Sequence, residues 1–242
     1  MIETLIAAAV ALPTPIQLPT VQRLVQSAQP VYCAGARGRS FALTFDDGPS
    51  PYTTQIVRVL RRFHARATFF DVGSRISLWP AGARASTTVG EIGNHTWSHA
   101  HLAALSAVET RHELAWTQHA VAHMLGTTPR LFRPPYAEAN AVDDLLARRL
   151  DLLDIRWSSD SGDSRFGATP QSVRRAALMG LRPGAIILLH DPHPTTPAIA
   201  RAVLRAAARR RLLAVTVSTL LARQPPSTLQ ISGSGSSRCP PS

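Results

Sequence analysis

FALTFDDGP, residues 41–49, sets a strand-forming apolar run directly against two carboxylates and a Gly-Pro turn. Short runs rich in β-branched or aromatic residues read as strands, whereas apolar residues three and four apart read as helix. Working outward, the two patterns take turns. A helix in YTTQIVRVLRRFH leads to a strand in ATFFD (67–71), and a polar, Ala-rich stretch runs to Gly93. The next helix opens on the Ser106-x-x-Glu109 capping box and closes near Gly126. After LFRPPY come a helix near 141–150, a strand in LLDIRW (152–157), and a helix begun by Thr169-Pro170 and stopped at Pro183-Gly184. AIILL (185–189) is a strand, a helix follows near 197–211, and LLAVTV gives a last strand before a closing turn at Ser218. This alternation predicts a mostly parallel sheet covered by helices, closed as a barrel or open and doubly wound. In either architecture the functional side chains gather at the C-terminal ends of the strands.

With 242 residues, 45% hydrophobic and 17% charged, the chain falls in the globular class and outside the disordered one. Its 26 basic residues, every one an arginine, outnumber 15 acidic ones for a net +11. No aromatic-basic recognition motif accompanies them, which argues against a nucleic-acid partner; a polyanionic surface such as a cell wall or lipid headgroups suits the charge equally well. The apolar stretch Leu5–Leu12 is too short for a transmembrane span. It fits the core of a secretory signal, but Glu3 stands where a basic start belongs, so a signal and a local helix both remain open. Composition divides the chain into an N-terminal segment 1–30, a possible signal or tether, a single domain over 31–223, and a flexible Gly/Ser/Pro tail over 224–242. Two cysteines, Cys33 and Cys239, exclude a CxxC metal site and a disulfide-dense scaffold but allow one bridge.

The strand ends carry the chemistry. Adjacent Asp46 and Asp47 repel each other unless they share a cation or proton, although an Asx turn is the plain reading of that pair alone. GNHTWSH spaces His95 and His99 four apart, which on a helical turn would aim both rings the same way. Two imidazoles and one carboxylate leave a coordination sphere open for water and substrate, as hydrolytic sites require. The same spacing at His119 and His123 lies inside the capped helix without a strand-end acid, and reads as solvent-facing. RPPY (133–136), then Asp160 and Asp163 in SSDSGD, then His190 and Asp191 fall at further strand ends.

In that order TFDDGP (44–49), HTWSH (95–99), RPPY (133–136), DSGD (160–163) and LLHD (188–191) resemble the five motifs of the polysaccharide deacetylase family, the NodB homology domain or carbohydrate esterase family 4. The resemblance runs from about Ser40 to Leu221. It implies a distorted (β/α) barrel of the NodB type, a single domain with flexible termini. The implied activity is metal-dependent removal of N-acetyl groups from N-acetylglucosamine units of peptidoglycan or a chitin-type glycan, with O-deacetylation of xylan and a noncatalytic carbohydrate-binding relative as alternatives. By resemblance Asp47, His95 and His99 are the metal ligands, with zinc expected and cobalt or nickel suited to the same donors. Asp46 is the implied general base, His190 the general acid, Arg133 the residue orienting the base, and Asp163 the acid holding His190, with Asp160 competing for that role. The Tyr136 backbone N–H is the implied oxyanion donor, and Leu188 lines the acetyl pocket. The implied partner is an acetylated glycan met by a secreted monomer. Three features depart from the pattern: Ala137 replaces the usual Gly, Ser164 the usual Trp, and Asp71 has no evident role.

Overall fold

The computed structural model describes residues 18–27, 29–228, 230 and 239. The apolar stretch Leu5–Leu12 and most of the Gly/Ser/Pro tail lie outside them. The first helix is α1 (Leu18–Ser27), followed by strand β1 (Ser40–Gly48), α2 (Thr53–Arg62), β2 (Ala67–Asp71), α3 (Gly73–Ile76), α4 (Pro80–Thr87) and β3 (Gly90–Asn94). Then come α5 (Ala107–Leu125), β4 (Leu131–Phe132), α6 (Ala141–Arg149), β5 (Leu153–Asp154), β6 (Ser159–Asp160), α7 (Pro170–Met179), β7 (Ile186–His190), α8 (Thr196–Arg209), β8 (Leu213–Val215) and α9 (Val217–Arg223).

All the pairings are parallel, in the order β5-β4-β3-β2-β1-β7-β6, and β8 joins the start of β1 on its β2 side. The result is a half-barrel wrapped by helices, the distorted (β/α) architecture that the motifs imply. Strand alternation sorts the side chains of β1. Phe41, Leu43 and Phe45 point outward into a core shared with α2, α7 and α8, where Phe45 stacks on Phe69 at 5.2 Å. Ala42 points inward with Phe70, Ile186 and Ile155, and α1 and α9 cover this second cluster through Val21, Leu24, Val25, Leu220 and Leu221. Each such side chain contributes roughly 1.5–3 kcal/mol on burial.

Helix α1 lies within the 1–30 segment, so part of that segment packs as domain. Gln224, at the start of the expected tail, is likewise buried, accepting from the Ser40 N–H and donating to the Gly35 carbonyl. Cys33 and Cys239 form a disulfide across 206 residues.

Several local readings need correction. The stretch before Gly93 contains two helices and β3, whose GEIGN sequence has little strand propensity. Tertiary packing makes it a strand: a Cβ on Gly90 would strike the Ala67 carbonyl, and one on Gly93 the Phe70 ring. LLDIRW pairs with β4 only at Leu153–Asp154; beyond it Ile155 bridges to Val31, and the Ile155 and Arg156 carbonyls accept from the Arg133 guanidinium. Ser218 lies inside α9, whose N-cap is Thr216. His95 and His99 do not share a helical turn. They occupy an irregular loop after β3, with Thr96 and His99 at positive φ.

Asp71 ends β2 fully buried, and neither carboxyl oxygen has a hydrogen-bond partner among the described residues. Burial first, then the charges of Asp191 and Asp46, push it well above the ordinary carboxylate range. The folded protein therefore holds a proton there that the unfolded chain releases, and stability falls as pH rises above the unfolded value. Asp71→Val, a β-branched residue of similar size, should stabilise the protein by about 1–3 kcal/mol at pH 7 and by less at pH 4. Urea unfolding at both pH values measures this; an unchanged or lowered midpoint at pH 7 would refute it.

Candidate active site

Adjacent side chains of a regular strand point to opposite faces, so Asp46 and Asp47 can share a site only if the strand breaks. It does. The β1–β2 register shifts between Asp46 and Gly48, and Asp47 sits at φ 64 in the left-handed region. This bulge turns the second carboxylate toward the first. Gly48 follows in a cis bond to Pro49, at a point where a Cβ would lie 2.7 Å from Asp71 Oδ1 and 3.2 Å from Asp191 Oδ2. Asp191 is fixed by its own N–H donating to the Asp46 carbonyl at 2.7 Å and by hydroxyls of Ser50 and Thr53 donating to Oδ1. Burial raises its carboxyl to about 6.

His95 leaves β3 with Nδ1 at 2.6 Å from the Arg133 carbonyl, which can only accept, so the ring proton is on Nδ1. The bare Nε2 then faces Asp47 Oδ1 at 3.2 Å. His99 Nε2 approaches the same oxygen at 2.9 Å, and its Nδ1 lies 3.2 Å from the Tyr136 hydroxyl. The loop holding both rings is tied to α5, where the Glu113 carboxylate accepts from the Ser98 N–H and hydroxyl. Asp47 Oδ1 is a buried acceptor without a hydrogen-bond donor among the described residues. The three donor atoms lie within 4.8 Å of one another, so Asp47, His95 and His99 could hold a metal ion. With its proton on Nδ1, His95 offers Asp47 an electron pair rather than a donor. Burial raises the Asp47 carboxyl, but hydrogen bonds and charge from His95 and His99 outweigh it and hold the group well below the carboxylate range. An open two-imidazole, one-carboxylate set is the donor chemistry of a hydrolytic metal site.

Arg133 is fully buried and spends its guanidinium on Asp46 Oδ1 (2.7 Å), the Thr44 hydroxyl (2.8 Å) and the Ile155 and Arg156 carbonyls (2.8 and 3.0 Å). The group also lies over the Phe70 ring, 4.1 Å from its centroid. Asp46 is thus held as half of a buried ion pair, its other oxygen 4.0 Å from His95 Nε2.

His190 ends β7 in register with Asp46. Its ring Nδ1 and backbone N–H each lie 2.7 Å from an oxygen of Asp163. Burial lowers the imidazole, but the Asp163 hydrogen bond and charge, with Asp46 and Asp47 behind them, raise it to about 9. Asp160 is not the partner: its carboxylate accepts from the Gly162 N–H and from Arg165, a turn role. Leu188 is buried opposite Thr44, one inward position below His190. His193 also approaches Asp163 and His190, and the three form a second cluster of metal-ligand type.

Tyr136 and Ala137 both take φ 58, so the left-handed turn usual for glycine is kept with alanine in place. Arg156, paired with Asp154, donates to the Ala137 carbonyl and anchors that turn. The Tyr136 ring is half exposed and stacks on His101 at 3.7 Å. Ser164 sits in an exposed turn, with Phe166 exposed two residues on. His119 and His123 are exposed on α5, as expected. Glu113, Asp154, Arg156 and Arg75, which donates to the Asp47 carbonyl, escaped the sequence reading. Glu113, Arg156 and Arg75 act on partners fifteen or more residues away, and Asp154 acts through Arg156, so no local pattern marks them.

Residues 34–153 match the sequence profile of the polysaccharide deacetylase family. The chain is 36% identical over 162 residues to the peptidoglycan-N-acetylglucosamine deacetylase PgdA of Listeria monocytogenes, covering 66% of this chain and 34% of that protein. It is 34% identical over 181 residues to the peptidoglycan-N-acetylmuramic acid deacetylase PdaC of Bacillus subtilis, covering 74% and 38%. The chain therefore spans about a third of the length of these curated relatives. A family 4 carbohydrate esterase from Streptomyces lividans, solved with acetate, superposes with a TM-score of 0.69 at 32% identity, covering 73% of this chain and 92% of that one. With profile, sequence and fold in agreement, the chain belongs to the polysaccharide deacetylase family, carbohydrate esterase family 4.

Proposed function

We propose that this domain is a metal-dependent hydrolase that removes N-acetyl groups from N-acetylglucosamine units of a peptidoglycan or chitin-type glycan. One observation carries the reading: the orphaned Asp47 oxygen faces two imidazoles, beside a carboxylate fixed by Arg133 and across from an imidazole fixed by Asp163. The names of the Listeria and Bacillus relatives support the glycan. The catalytic unit is residues 31–223, capped by α1.

Asp47, His95 and His99 would hold the ion, zinc by preference with cobalt or nickel suited to the same donors. When bound, such an ion lowers the pKa of water and polarises an acyl oxygen. Asp46 takes the proton of the attacking water, its orientation set by Arg133. The Tyr136 N–H binds the developing oxyanion. Leu188 packs against the acetyl methyl. His190 is protonated at neutral pH and delivers its proton to the departing amine, which otherwise leaves poorly. The disulfide suits an extracytoplasmic location, and no described helix is long and apolar enough to cross a membrane.

Asp46→Asn should retain bound metal and lower acetate release from chitopentaose by about 10²–10⁴-fold, while Asp47→Asn should lose metal and activity together. Elemental analysis alongside the acetate assay tests the division of roles. Metal loss from the Asp46 variant would overturn it, as acetate release from acetylated xylan alone would overturn N-deacetylation.

The His190–Asp163 pair sets the alkaline limit. Because the folded imidazole lies above its unfolded value, its protonated form and the stability it contributes are present at neutral pH and lost as pH rises through about 9. Asp163→Asn should move the alkaline limb of kcat/KM downward by about one to two pH units. An unmoved limb would exclude His190 as the acid.

A further inference from the structure

The net charge of +11 is not spread along the chain. Up to Ser164, fifteen arginines face fourteen acidic residues; from Arg165 onward eleven face one, Asp191, and that carboxylate is buried. Much of the excess falls on α7 and α8, which pack together outside β7 and contain no acidic residue.

On α8, Arg201, Arg205 and Arg209 recur every four residues as an exposed stripe opposite the buried face of Ile199, Val203 and Leu204. Arg174 and Arg175 are exposed on α7. Two adjoining grooves of about 420 and 490 Å3 share Gln171, Arg174 and Leu178 in their walls; the first runs along the α8 stripe and the second past Arg175 and Arg210. Neither Arg174 and Arg175 nor the α8 stripe pairs with an acidic residue among those described. Like charges four apart on a helix repel, so the charges of the stripe do not support one another.

We propose that the α7–α8 groove binds an extended anionic polymer with phosphates along its backbone, of the phosphodiester kind found in cell envelopes. Guanidinium groups match phosphate oxygens in a bidentate fork. The charges of Arg201, Arg205 and Arg209 follow one line along α8, which suits an extended chain, and Met179 is the one exposed large apolar side chain lining the second groove. No aromatic ring lines the walls, so nucleic-acid bases would have nothing to stack on. The first residue of α8, Thr196, donates its hydroxyl to the His190 carbonyl, so the helix starts at the rim of the candidate active site. The stripe from Arg201 to Arg209 then runs about 12 Å down the flank. A polymer held there would lie beside the glycan-binding end of the barrel without entering it.

The inference is independent of the hydrolase reading, and its test uses binding alone. Long-chain inorganic polyphosphate is titrated into the full chain over a range of salt concentrations. Affinity should fall as salt rises, as it does when phosphates are neutralised by arginine. The variant R174Q/R201Q/R205Q/R209Q should lose at least about tenfold in affinity. R37Q/R84Q/R111Q/R149Q, with the same charge change at exposed sites on other elements, should stay within about twofold. Equal losses in both variants would reduce the effect to net charge and overturn the proposal. So would the absence of polyphosphate binding, or tighter binding to single-stranded DNA or to anionic phospholipid vesicles at the same ionic strength.

Discussion

The buried pair between Arg133 and Asp46 organises the rest of the site. Bringing two charges into a protein interior costs several kcal/mol per ion, and Coulomb attraction repays that only when the remaining donors are satisfied. Arg133 meets this condition through the Thr44 hydroxyl, the Ile155 and Arg156 carbonyls and the Phe70 ring. Its backbone takes part as well. The Arg133 N–H donates to the Asn94 carbonyl, and its own carbonyl accepts from His95 Nδ1. One residue thus fixes the direction of Asp46 and the tautomer of His95, from opposite ends of its own structure.

Such an arrangement needs a backbone that departs from regular geometry. Asp47, Thr96, His99, Tyr136 and Ala137 all have positive φ, and all lie at the strand ends around the site. Non-glycine residues held there cost of order 1–3 kcal/mol each and persist only where the surroundings over-determine them. The surroundings are identifiable: Arg75 on the Asp47 carbonyl, Asn94 and Thr96 within the histidine loop, and Arg156 on the Ala137 carbonyl. The regular β1, β2 and β7 core beneath them supplies the stability that offsets this strain.

How much of this was legible follows from where each signal lies. Strands β1, β2 and β7 and helix α5 announce themselves through local composition and a capping box, and the structure keeps them within three residues of the reading, β1 running on through the carboxylates to Gly48. The side chains placed directly after those strands, Asp46, Asp47 and His190, converge as their positions in the sequence predict. The histidine pair was found by spacing that on a helix would aim both rings one way, yet the rings converge through a loop pinned by Glu113. Strand β3 was invisible because its two glycines are required by the neighbouring strand rather than by its own propensity. The choice of Asp163 over Asp160 depended on the path of the turn between them, which composition cannot supply.

Charge accounting at the strand ends brings these parts together. Asp46 is matched by Arg133, and Asp163 by a His190 that stays protonated at neutral pH. Asp71 is pushed by its burial toward the protonated form, and Asp191 spends one oxygen on two hydroxyls while its own carboxyl is raised. Asp47 is left with two imidazoles, and the Arg133 carbonyl obliges the His95 ring to present an electron pair rather than a proton. An anion whose inner oxygen is buried beside an imidazole electron pair favours a positive charge at that point. The same carbonyl that orients His95 therefore makes the pocket suited to a cation, and the left-handed turn at Asp47 directs its carboxylate into the open end of the barrel.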